Sequence, residues 1–251
     1  MVQFVEEFYS LQGEGRYYGT PSFFFRFGRC NMQCRGFDSK FLTDEGTIVV
    51  GCDSVYAVDK ENFSSSWKSV DAQFLIEVLK SNQKKYPNVR DIVITGGEPM
   101  LYAKDEEFLS FLKFAKSQDF RITIETNGTL DVDFETLPIY KNIIFALSIK
   151  LSNSGEPKSK RVKKDVIKNI VLNANETFFK FSLKDSLLKE SLQEIQEIEA
   201  IAKAEVYCMA VCQNSEELLR QEKAITQFCL ENGYTYSDRL HIRLYDGKRG
   251  V

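Results

Sequence analysis

Histidine is nearly absent from this sequence, His241 being the only one. A zinc site built on paired histidines is excluded at once. A Ser-His-Asp hydrolase would have to recruit His241, and no Gly-x-Ser-x-Gly elbow accompanies it. Long apolar runs are missing as well. Every one falls far short of the about 18 residues that a membrane-spanning helix needs. Basic excess is missing too, with a formal net charge of -3, whereas a protein that grips a nucleic-acid backbone does so with Lys and Arg. The basic run Lys158 to Lys164 is short and reads as a solvated loop or helix face. No Gly-Lys-Ser/Thr marks a nucleotide-triphosphate loop. Neither nucleic acid nor a membrane is therefore expected as a direct partner. The opening Met1 to Glu7 is acidic where a signal peptide is basic, so a cytoplasmic address is expected.

What is present is an ordinary apolar fraction of 43%, unusually many Phe (20), and six cysteines in 251 residues. That length suits one α/β domain with a substantial core, and no linker or repeat divides it. In a reducing compartment the cysteines read as metal ligands or buried thiols rather than disulfides. Apolar runs predict strands at Ser22 to Phe27, Asp91 to Thr95, Phe120 to Ile124, Ile143 to Ile149, Thr177 to Leu183, Glu205 to Ala210 and Leu240 to Tyr245. Helical periodicity falls between them, near Asp71 to Lys84, Asp105 to Ser117, Lys163 to Asn173, Ser186 to Lys203 and Ser215 to Asn232. Asn214 with Glu217 forms a capping box for the last. Such alternation implies a parallel sheet, since parallel neighbours need a crossover helix. Periodicity leaves open whether the sheet is doubly wound or a partial or full barrel. In either case the site belongs at the C-terminal strand ends, where Thr95-Gly96-Gly97-Glu98-Pro99, Glu125 to Thr129 and Ser148-Ile149-Lys150 fall.

One stretch, Cys30 to Lys60, fits no element. It is long, polar and contains Cys30, Cys34 and Cys52, and long loops inside compact domains are usually functional. Three thiolates can hold three irons of a four-iron cluster and leave the fourth open for a cofactor, whereas four thiolates close the cluster. Zinc binding or unligated thiols are the competing readings of the spacing. The Gly96-Gly97 turn after a strand permits close backbone approach to a ligand. Together the cysteine loop and this turn resemble the radical S-adenosylmethionine superfamily. The resemblance implies a partial TIM-like barrel of parallel strands with outer helices, a 4Fe-4S cluster, and S-adenosylmethionine held by Gly96, Gly97, Glu98, Ser148, Ile149 and Lys150.

The opening narrows the resemblance. Ser10 to Gly15, Gly19-Thr20-Pro21, Phe25-Arg26-Phe27, and later Glu125 to Thr129 and Arg239 to Ile242, resemble the 7-carboxy-7-deazaguanine synthase family over most of the chain. The family converts 6-carboxytetrahydropterin to 7-carboxy-7-deazaguanine and ammonia. The resemblance implies substrate contacts from Leu11, Gln12, Gly13, Glu14, Arg26, Thr95, His241 and Val251, an external reductant such as a flavodoxin or ferredoxin, and a homodimer. An Arg fork matches a carboxylate bidentately, and Gln and Glu read a pterin edge. A glycyl-radical activating enzyme and a non-catalytic iron-sulfur carrier are the alternatives.

The sequence departs from the family at one point. Phe37 stands where the family has its third cysteine, followed by Asp38-Ser39. Cys52-Asp53-Ser54 comes later, so residues 35–51 contain an insertion and Cys52 is expected to fold back to the cluster. By the same resemblance Asp53 contacts the cofactor and Ser54 holds magnesium, with Ser39 as competitor; hard oxygen donors suit that cation. Cys208 and Cys212 repeat the Cys30–Cys34 spacing, but with no further cysteine nearby they are expected to pack, as is Cys229.

Overall fold

The computed structural model describes residues 1–43 and 45–250. Strand β1 (Val2–Leu11) and strand β2 (Pro21–Phe27) form an antiparallel pair. The cysteine stretch contains β3 (Ser39–Leu42), β4 (Ile48–Gly51), helix α1 (Val55–Val58) and helix α2 (Lys60–Phe63). Next come β5 (Lys68–Val70), α3 (Ala72–Lys85), β6 (Asp91–Gly96), α4 (Glu106–Ser117) and β7 (Arg121–Thr126). They lead to β8 (Ile144–Leu147), α5 (Lys158–Arg161), α6 (Lys164–Asn173) and β9 (Glu176–Leu183). The chain closes with α7 (Leu188–Glu199), β10 (Glu205–Ala210), α8 (Ser215–Asn232), β11 (Thr235–Tyr236) and α9 (Leu240–Tyr245). Helix starts follow local chemistry, because the first N–H groups of a helix need outside acceptors. Asp71 accepts from Phe74 N at 2.9 Å, Asp105 from Glu107 N at 2.9 Å and Asn214 from Glu217 N at 2.9 Å.

The main sheet has nine strands in the order β11-β10-β9-β8-β7-β6-β2-β1-β5. Every pairing from β2 to β11 is parallel, and β1 and β5 add an antiparallel edge. The order settles what periodicity left open. A doubly wound sheet reverses direction at a switch point and so carries helices on both faces. Here each right-handed crossover steps the chain the same way, so the crossover helices α3, α4, α6, α7 and α8 collect on one face of an open, partial barrel.

Side-chain alternation matches that arrangement. In β9, Phe179, Phe181 and Leu183 join the helix-side core while Phe178 and Lys180 face inward, and β2 divides likewise into Phe23, Phe25 and Phe27 against Phe24 and Arg26. Ile195 of α7 and Ile225 of α8 belong to the same core. Low on the inner face Ile144, Ala146, Phe178 and Tyr207 pack with Tyr17. The 12–20 segment crosses that face: Gly13 O accepts from Leu240 N at 3.0 Å, and Gly15 N donates to Ser237 Oγ at 2.8 Å. Among the described residues no helix is long and apolar enough to cross a membrane.

Three local expectations change. Leu240 to Tyr245 is helix, not strand. Its Leu-His-Ile-Arg-Leu-Tyr alternation mimics a period of two, but Leu244 is exposed and only Ile242 is buried. With only the two-residue β11 beside β10, the segment coils instead, Arg243 N donating to Arg239 O at 3.0 Å. The Cys30 to Lys60 stretch is not structureless: the insertion folds as an antiparallel hairpin, Leu42 opposite Ile48 and Ser39 opposite Gly51. Strand β1, whose alternation is broken by Glu6 and Glu7, is an element that the apolar runs do not reveal.

Candidate active site

Loops after the parallel strands converge on a cavity of about 570 Å³. Leu11, Gln12, Gly13, Glu14, Arg26 and Thr95 line it, as do Gly96, Gly97, Ser148, Lys150 and His241. So do Cys30, Cys34, Cys52, Asp53 and Ser54. Glu98 and Ile149 are buried behind the wall instead, and Val251 lies outside the described residues.

Each thiol is set by its own loop. Before Cys30, the φ of 77° at Arg29 turns the chain, and Arg29 N donates to Ala57 O at 2.8 Å. Cys34 adopts a left-handed φ of 49°, which costs a non-glycine residue on the order of 1–3 kcal/mol. The Glu156 carboxylate fixes this turn, accepting from Gln33 N at 2.6 Å and Cys34 N at 3.2 Å. Cys52 returns because the hairpin closes at its base, bringing Gly51 opposite Ser39. A Cβ on Gly51 would stand 2.7 Å from Val55 Cγ2. Phe37 faces the same cavity.

All six cysteines are free. Burial pushes the Cys30 thiol up to about 12, and burial with the adjacent Asp53 carboxylate pushes Cys52 higher still. Ligation must therefore displace protons from these thiols. Among the described residues no three His, Cys, Asp or Glu side chains stand close enough to share a single metal ion. Three thiols that face one cavity without converging on one point fit a multi-iron cluster better than a lone zinc. Cys212 also lines the cavity, but its carbonyl accepts from Arg239 Nη1 at 2.7 Å and its sulfur lies 3.7 Å from the same nitrogen. Cys208 instead faces the helix-side core with Cys229.

The glycine turn is needed first for internal packing. A Cβ on Gly96 would lie 2.0 Å from Phe27 O, and one on Gly97 2.1 Å from Arg29 O. Gly97 N donates to Phe27 O at 3.0 Å and Glu98 N to Arg29 O at 2.8 Å. With these two N–H groups spent, the turn offers carbonyl oxygens, which suit a ligand ammonium. Glu98 fixes the turn to the next loop, accepting from Thr126 Oγ1 and Asn127 N at 2.7 Å and from Met100 N at 2.9 Å. Burial raises its pKa despite these bonds. Asn127 Nδ2 in turn donates to Asn31 Oδ1 at 2.8 Å, beside Cys30.

A polar arc runs through the same cavity. Thr95 Oγ1 donates to Glu125 Oε2 at 2.9 Å, and Lys180 Nζ bridges Glu125 Oε1 at 2.7 Å and Glu14 Oε2 at 3.0 Å. Arg239 continues it, with Nε 2.8 Å from Glu14 Oε1 and Nη2 2.6 Å from Asp53 Oδ2. Against the upward push of burial, Lys180 and Arg239 hold Glu14 well below the usual carboxylate range. Burial and Arg239 push His241 below its ordinary value, and Arg239 Nη2 lies 3.4 Å from its Nε2. That donor places the neutral ring's proton on Nδ1. Arg26 Nε is pinned to Glu6 Oε1 at 2.8 Å, while Nη2 has no partner among the described residues.

Lys180 and Glu6 were not singled out from the sequence, and Glu125 and Arg239 stood in matched motifs without a role of their own. Lys180 did carry a signal: a lysine within Phe178-Phe179-Lys180-Phe181 must either break an apolar strand or face a polar interior.

Fold and site together define a radical SAM domain, and the profile of the Radical SAM superfamily matches residues 27–200. The 7-carboxy-7-deazaguanine synthase of Rhodopirellula baltica is 30% identical over 260 residues, covering 98% of this chain and 87% of the relative. That of Buchnera aphidicola is 30% identical over 210 residues, covering 82% and 89%. The crystal structure of QueE from Escherichia coli has the same fold, with a TM-score of 0.65 at 20% identity, over 96% of this chain and 94% of that one. The chain belongs to the 7-carboxy-7-deazaguanine synthase family of radical SAM enzymes. Membership of that superfamily brings a 4Fe-4S cluster and S-adenosylmethionine as its cofactors.

Proposed function

We propose that this chain converts 6-carboxytetrahydropterin to 7-carboxy-7-deazaguanine with loss of ammonia, a step toward queuosine-type deazapurines. The observation that carries the reading is the shared cavity: the three thiols line it together with Gln12, Glu14 and Arg26. Cys30, Cys34 and Cys52 would hold the cluster. The Gly96-Gly97 carbonyls, Ser148, Lys150 and the Ile149 backbone would hold S-adenosylmethionine, with Glu98 as the brace of that turn. When bound, cluster and S-adenosylmethionine would supply the radical, hydrogen-abstracting chemistry that the reaction needs.

The chain's own residues bind and orient. Arg26, fixed through Nε, offers its Nη2 edge to the substrate carboxylate. Gln12 and the free lone pairs of Glu14 read the donors of the pterin edge, and Leu11 and Gly13 shape the same turn. Thr95 Oγ1 keeps lone pairs for the substrate while donating to Glu125. His241, neutral at pH 7, adds one donor through Nδ1. This rigid frame fixes the pterin relative to the cofactor, and orientation of this kind lowers the barrier without chemistry of its own.

Magnesium is assigned to the Ser54 hydroxyl, because an acidic oxygen, Asp53 Oδ1, lies 3.3 Å away. Ser39 also faces the cavity but bonds to no carboxylate among the described residues. An external one-electron donor of the flavodoxin or ferredoxin type, a homodimer and a cytoplasmic setting complete the proposal.

The test is anaerobic reconstitution with iron and sulfide, followed by reductant, magnesium, S-adenosylmethionine and 6-carboxytetrahydropterin, with products followed by mass spectrometry. Formation of 7-carboxy-7-deazaguanine is expected. Formation of 5′-deoxyadenosine alone would keep the radical chemistry and overturn the substrate.

A further inference from the structure

The insertion between Cys34 and Cys52 raises a physical question. A hairpin closed at its base returns the backbone to the cavity, but it does not by itself aim the next side chain. Beyond Gly51 the chain has left the ladder, and Cys52, Asp53 and Ser54 precede α1. The anchor in that segment is Asp53, whose Oδ2 takes the Arg239 guanidinium at 2.6 Å.

Arg239 is 7% exposed, and all three of its nitrogens are engaged. Nε reaches Glu14 Oε1 at 2.8 Å, Nη1 reaches Cys212 O at 2.7 Å, and Nη2 reaches Asp53. One planar, rigid fork therefore joins three segments far apart in sequence: the 12–20 crossing, the loop after β10 and the residue next to Cys52. A lysine in its place is a single point donor on a flexible stem and cannot span those directions together.

We propose that Arg239 is the positioning residue that seats the third cluster ligand, holding Cys52 toward the cavity through Asp53 and tying that seat to Glu14 of the substrate turn. This inference rests on the reading of Cys52 as an iron ligand. It assigns the Asp53 carboxylate to the clasp rather than to direct contact with the cofactor. It also predicts coupling. Whatever orders Glu14 orders the plane that holds Asp53, so substrate at one end should slow loss of the cluster at the other, and such coupling is reciprocal.

The test uses the reconstituted holoprotein and follows the visible absorbance of the cluster while an iron chelator strips it. Arg239→Lys and Asp53→Asn should each lose the cluster about 10-fold faster or more, the scale on which groups that orient metal ligands act. The double variant should be no faster than the quicker single variant, because both changes break one link. Adding 6-carboxytetrahydropterin should slow cluster loss in the unaltered protein and give no protection in Arg239→Lys. If Asp53→Asn holds its cluster at the unaltered rate, or if the two effects multiply, the clasp is not what seats Cys52. Asp53 is half exposed, so its variant remains informative should Arg239→Lys fail to fold. Cys52→Ala separates the two levels. Retention of a full cluster by Cys52→Ala would remove the reading beneath the inference; its loss there beside normal retention in Asp53→Asn would remove the inference alone.

Discussion

Lys180 sets the charge balance of the inner wall. It is 5% exposed and stands between two carboxylates, Glu14 and Glu125. Lys180→Met leaves Glu125 partly buried without its cation and Glu14 with Arg239 alone, and breaking a buried pair from one side costs about 3–5 kcal/mol. The denaturation midpoint should fall accordingly, and adding Glu125→Gln should recover part of the loss. His241 gives a pH signature. Its folded-state pKa lies below the ordinary value of about 6.5, so the unfolded chain binds more protons between the two. Its contribution to stability is complete above about pH 6.5 and is lost as pH falls through the folded value. Urea midpoints measured from pH 5 to pH 7 should therefore vary less steeply in His241→Gln. Gln12, Arg26 and His241 were legible only through the family resemblance, whereas Gly96 stood out as part of a Gly-Gly turn directly after a strand. The roles of Arg239 and Glu125 were not legible, although both stand in matched motifs, since a single charged residue reveals its partner only when the fold brings it.

At the scale of elements, two short pieces escaped the sequence for opposite reasons. In the insertion, Phe41-Leu42 and Ile48 to Val50 are strand-forming, but the polar turn residues around them dilute the pattern, and two four-residue strands leave little period to read. In α9 the pattern was clear and misleading, because alternation predicts a strand only where a neighbouring edge is free to pair. The glycine turn illustrates a third case. Gly96-Gly97 was recognisable, but its steric reason, contact with Phe27 O and Arg29 O, depends on β2 lying beside β6. Gly97→Ala must push Arg29 away, and overpacking of this kind costs about 1–3 kcal/mol. The same shift moves the residue before Cys30, so the variant should show both a lower denaturation midpoint and reduced iron per chain. A normal iron content beside the lower midpoint would confine the glycine's role to packing.

For the whole molecule, division of labour follows from the one-way strand order. The Phe-rich face carries the stability, and the loops at the strand ends carry the ligands. Loops with few buried apolar contacts open at lower free energy than core strands. Removal of iron and sulfide should therefore raise backbone hydrogen exchange mainly in residues 30–56, with β6 to β9 nearly unchanged. Uniform loss of protection across the sheet would show instead that the cluster is part of the folding unit.

The closed base of the β3–β4 hairpin has a consequence for ancestry. Because Ser39 meets Gly51 whatever lies beyond them, residues can be gained or lost at the tip without altering where Cys52 re-enters. Lengthening such a loop costs only a logarithmic entropy, about 0.6 kcal/mol per doubling. The gap between second and third ligands is thus free to drift while the ligand set stays fixed in space, and lineages that keep the same chemistry need not keep the same spelling.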